Sequence, residues 1–155
     1  MKKVLLLLLF VSLSACKSKS ITNTKVDNKS ERTIKGKFII SSVTYPGSDY
    51  IKMNSFDIAD SKCFIGSEWE FISNNNKGSF TIDNSSCSSF TSPITWYMNK
   101  EGNFVMKILN DAKSKKVTEG YILKVADLTE TSFQLIDKVN VGGKLVEVVY
   151  EFKKN

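Results

Sequence analysis

The stretch "CFIGSEWEFISNNNKGSFTID", Cys63 to Asp83, decides what kind of fold this chain can have. Trp69 and Phe71 alternate with Glu68 and Glu70, and beyond "NNNKG" the same two-residue period returns at Phe80 and Ile82. Successive side chains of a strand point to opposite faces, so this period describes half-buried strands. An Asn/Gly-rich break between two such runs describes a hairpin. The stretch reads as a hairpin whose one apolar face carries Trp69, Phe71, Phe80 and Ile82.

Working outward, the same alternation recurs with turn signals between the runs. Eight strands are predicted, at 36–45, 67–73, 78–83, 93–99, 103–110, 119–127, 131–140 and 144–153. The last has Val146, Val148, Tyr150 and Phe152 on one face and Glu147, Glu151 and Lys153 on the other. Phe104, Met106 and Ile108 alternate likewise, as do Tyr121, Leu123 and Val125. The connections "NNNKG", "KEGN", "LTET" and "VGG" are of hairpin length. Between the first two strands, Tyr50, Met53 and Phe56 recur at roughly helical spacing and predict one or two helical turns. No long helical pattern and no βαβ unit can be built elsewhere. Consecutive antiparallel strands describe an up-and-down meander, and closing eight of them removes the exposed sheet edges. The expected fold is all-β: an eight-stranded antiparallel up-and-down barrel, with a short helical segment between its first two strands.

The start of the chain, "MKKVLLLLLFVSLSAC", has two lysines, an apolar run from Val4 to Val11 and small residues ending in Cys16. That pattern is a secretory signal, too short to stay in a bilayer as a spanning helix. Its ending "LSAC" resembles the bacterial lipobox, which implies lipidation of Cys16. Residues 1–15 are then a lipoprotein signal peptide, and the membrane is a partner through the anchor on Cys16. Residues 16–33 are polar and charged, with only isolated Ile21 and Val26. Such a segment buries too little apolar surface to offset its ordering entropy, so it reads as a flexible tether. Residues 34–155 form the barrel domain. Loss of Lys2 and Lys3 with the signal lowers the formal charge from +6 to +4. That excess falls short of a nucleic-acid footprint.

With Cys16 assigned to lipid, Cys63 and Cys87 remain, and an even pair in an exported chain reads as a disulfide. The competing uses lack partners: the chain has no histidine to complete a zinc site or to activate a thiolate. Nor is there a Gly-x-Ser-x-Gly or a phosphate-binding glycine loop. Glu68 and Glu70 are expected to face solvent, and Asp57 and Asp60 to serve turns and caps. No catalytic residue, metal or cofactor is assigned, and the chain is expected not to be an enzyme.

The array "GKF", "FDIADSKCFIGSEWEFISNNNKGSFTI", "ITWYMNKEGNFVMKI", "EGYILKV" and "GKLVEVVYEFKK" resembles the lipocalin-like lipoproteins of Bacteroidota-type envelopes. Lipocalins open on Gly-x-Trp where this chain has Gly36, Lys37 and Phe38, and the arginine they carry near the last strand is replaced by lysines. The resemblance implies an envelope lipoprotein, anchored at the outer membrane and facing the periplasm or the cell surface, that holds a small apolar ligand inside its barrel. An eight-stranded barrel is just wide enough for one such ligand, or to be filled by its own side chains. The candidate cavity is lined by Phe38, Ile40, Ser42, Phe56, Trp69, Phe71, Trp96, Met98, Met106, Tyr121 and Tyr150. Its mouth is expected beside Ser42, Thr44 and an amphipathic lid around Phe56. The alternative is an interaction protein with a filled barrel, using exposed Tyr45 and Tyr97 and the loop around Phe90.

Overall fold

The computed structural model describes residues 28–48, 52–110 and 116–155. Cys16, the signal and the tether up to residue 27 lie outside the described residues, as does Tyr50. The elements are α1 (Asn28–Thr33), β1 (Gly36–Thr44), β2 (Asn54–Ser55), β3 (Ala59–Asp60), a 3-10 turn η1 (Ser61–Phe64), β4 (Glu68–Ile72), β5 (Lys77–Ile82), β6 (Phe90–Met98), β7 (Asn103–Ile108), β8 (Tyr121–Ala126), β9 (Ser132–Val141) and β10 (Lys144–Lys154).

Eight of the strands close a barrel in the order β1-β10-β9-β8-β7-β6-β5-β4, every neighbouring pair antiparallel. The expected up-and-down barrel is therefore the observed one. The opening hairpin is β4–β5, in which Trp69 faces Phe80 and Phe71 faces Gly78. A Cβ placed on Gly78 would meet the Glu70 carbonyl oxygen at 2.2 Å and the Ile94 side chain at 3.2 Å, so only glycine lets β4, β5 and β6 approach this closely.

Alternation delivers the core as expected. Phe38, Ile40, Trp69, Phe71, Phe80, Ile82, Ile94, Trp96, Met98, Phe104, Met106, Leu123, Phe133, Leu135, Val146, Val148, Tyr150 and Phe152 are all buried. Their rings interlock. Phe71 makes ring contacts at 5.6–6.1 Å with Phe38, Trp69, Trp96, Phe104, Phe133 and Phe152. Trp69 stacks on Phe80 at 4.4 Å and Phe133 on Phe152 at 4.6 Å. The indole of Trp69 donates to Ser67 Oγ and that of Trp96 to the Lys77 carbonyl, so neither buried N–H is orphaned.

The two ends differ. The last six residues of the range assigned to the tether form α1, which packs at the end where β6 finishes. There Glu31 Oε1 accepts a hydrogen bond from the Met98 backbone N–H at 2.8 Å, and Ile34 is wholly buried. At the other end, the β1–β4 connection folds across the barrel. The helical turns expected around Met53 and Phe56 are instead the short β2–β3 hairpin, and the helical segment lies just after it, as η1. Asp60 caps that turn by accepting from the Lys62 N–H at 2.9 Å, the role expected of it. The Cys63–Cys87 disulfide ties η1 to the β5–β6 loop, with Cα atoms 5.9 Å apart. Closing this loop stabilises the fold by about 3 kcal/mol on a chain-entropy reckoning.

Candidate functional site

Of the eleven residues expected to line a cavity, nine belong to the core: Phe38, Ile40, Phe56, Trp69, Phe71, Trp96, Met98, Met106 and Tyr150. Ser42 points the other way. Between Ile40 and Ser42 the β1–β10 register shifts by a bulge, so that Val43 and Tyr45 are buried and Thr44 is exposed. Tyr45, expected on the surface, is thus an interior residue. Tyr121 remains, and with the outer side of Phe56 it lines a cleft of about 500 Å³ at the mouth.

The cleft opens where the β2–β3 hairpin meets the end of β7 and the start of β8. Its apolar wall is Phe56, Ile58, Ile108, Leu109, Val117 and Tyr121; its polar groups are Asp57, Asn110 and Glu119. The hairpin is held down by two buried hydroxyl pairs, Ser55 with Tyr150 and Tyr45 with Ser61. Lys62 Nζ adds a bond to the Val43 carbonyl at 2.6 Å and sits 4.8 Å from the centre of the Tyr45 ring.

Phe56 separates cleft from core. Its ring stacks on Tyr150 at 5.4 Å and meets Phe64 and Tyr121 edge-on at 5.4 and 5.0 Å. This position is reached through an unusual turn. Phe56 and Asp57 have φ of 55° and 54°, and the Ile58 N–H donates to the Ser55 carbonyl at 3.0 Å. Two consecutive left-handed residues between paired strands are the turn normally made by Asn-Gly or Gly-Gly.

Charge concentrates at the same end. The Tyr121 hydroxyl is pushed above its ordinary pKa by burial, then by the negative charges of Asp57, Glu119 and Asp137. Asp137, on an inward position of β9, has its carboxyl pKa raised, chiefly by desolvation. Burial also raises Tyr150, against the opposing effect of its bond to Ser55. Asp137 was missed in the sequence, although the run Phe133, Leu135 continues onto it at the same period.

Among the described residues no group of histidine, cysteine or carboxylate side chains is placed to hold a metal, and no helix is long and apolar enough to cross a membrane. Comparison with protein-family models, with curated proteins and with solved structures returned no match.

Proposed function

We propose that this is a lipid-anchored, lipocalin-like envelope protein that binds a small, largely apolar ligand in the cleft at the barrel mouth. The observation that carries the reading is the division of the interior: interlocked rings fill the depth of the barrel, while a cleft of about 500 Å³ with an aromatic and aliphatic wall stays open above Phe56. That volume falls in the range of small-molecule sites, which are mostly apolar with few polar groups. The anchor on Cys16 is supported by the "LSAC" ending after an apolar run.

Native mass spectrometry of the protein purified from its own envelope tests the reading. A non-covalent small-molecule mass is expected on the acylated chain, lost when Ile58→Trp fills the cleft in a variant that keeps its melting temperature. An apo mass from freshly isolated envelope, with no ligand recovered, would overturn it.

A second reading has its own support. On the outer face, Tyr97 pairs with Val105 and Val105 with Ile122 across β6, β7 and β8. Tyr97 is 49% and Ile122 62% exposed, over Val105 at 8%. This apolar row suits a protein partner, and co-purification of one that Ile122→Lys releases would favour the interaction protein.

A further inference from the structure

The cleft is more selective than its apolar wall alone implies. Among the described residues, the charged groups that line it are Asp57 and Glu119, both acidic, in a chain with 22 basic and 16 acidic residues. The lysines nearest in sequence among the described residues stay out of the lining: Lys107 Nζ donates to the Val117 carbonyl at 2.9 Å, and Lys116 is exposed. Aromatic surface is supplied by Phe56 and Tyr121, whose rings meet edge to face with centroids 5.0 Å apart. A cleft with apolar walls, aromatic surface and carboxylates on its rim repels a carboxylate or phosphate head. It favours a cation, through charge attraction and through the ring faces.

We propose that the mouth cleft takes an organic amine: a protonated or quaternary nitrogen held between Asp57 and Glu119, with an apolar body against Phe56, Ile108 and Tyr121. The proposal rests on the cleft being the ligand site and adds the charge class of what enters it.

Three probes of one shape separate the charge from the cavity: 2-phenylethylamine, 2-phenylethanol and 3-phenylpropionate, cationic, neutral and anionic at neutral pH. Each is titrated into the full chain while the backbone amides of Ile58, Ile108, Leu109 and Tyr121 are followed by NMR. The amine is expected to bind about five-fold tighter than the alcohol, with the acid weakest. In the double variant Asp57→Asn, Glu119→Gln, the alcohol should keep its affinity and the amine should fall to within about two-fold of it. Asparagine tolerates the left-handed backbone at 57, so the turn survives the change. Alcohol binding without amine preference, or a preference that persists in the double variant, overturns the charge assignment and leaves the cleft standing. Failure of all three probes to move those amides overturns both.

Discussion

Asp137 is a residue whose chemistry depends on the fold. It stands on the inward side of β9 two positions beyond Leu135, and desolvation holds its carboxyl above the ordinary value of 3.8. The folded chain therefore binds that proton more tightly than the unfolded chain does. The resulting stability is fully present below the ordinary value and is lost as pH rises through the raised one. Asp137→Asn removes a half-buried charge, so its melting temperature should exceed that of the wild type at pH 7. The gap should close as pH is lowered below 3.8. A gap that is constant with pH, measured by thermal unfolding across the acid range, would mean that desolvation is not the cause. Alternation alone places Asp137 on the inward side of β9, but a carboxylate at that phase carries no apolar signal of a core position. The β1 bulge was legible in the same way: apolar residues at 38 and 40 give way to 43 and 45, and that change of phase is the mark of an inserted residue.

Strands and hairpins were readable wherever local chemistry and tertiary packing agree. At the β9–β10 connection, Gly142 and Gly143 take φ of 59° and 87°, the backbone that "VGG" announces. The β2–β3 turn has nearly the same backbone but is built from Phe56 and Asp57, so no glycine signals it, and the apolar spacing around it read as helix. What holds Phe56 there is burial among Phe64, Tyr121 and Tyr150, which outweighs a left-handed cost of about 1–2 kcal/mol. A reversal of the usual ranking follows. Phe56→Ala and Phe56→Gly both lose the ring, at a cost of about 3–4 kcal/mol. Glycine, however, accepts the positive φ without penalty. The glycine variant should be the more stable of the two by about 0.5–1 kcal/mol in urea unfolding, where at an ordinary position alanine would win. Alanine proving the more stable would show that the turn relaxes once the ring is gone.

At the scale of the whole molecule, up-and-down topology gives the barrel a polarity. β1, β5, β7 and β9 run toward the mouth and β4, β6, β8 and β10 away from it, so the cleft lies at one end and α1 and Asn155 at the other. Eleven residues separate Cys16 from Asn28, so twelve residue steps give a reach of at most about 43 Å when fully extended. If Cys16 is acylated as proposed, the chain is drawn to the membrane by the end that carries α1, and its cleft faces outward, open to solutes. Two fluorophores read this orientation, one on Glu101→Cys in the β6–β7 turn and one on Lys144→Cys in the β9–β10 hairpin. The acylated protein is placed in vesicles containing nitroxide-headgroup lipid. The label at 101 should be quenched more strongly than the label at 144, and Cys16→Ser should release both. Stronger quenching at 144 would put the mouth against the bilayer, where an apolar ligand would enter from the lipid itself. An absence of quenching at both positions would remove the anchor, and with it the reason for the cleft to face away.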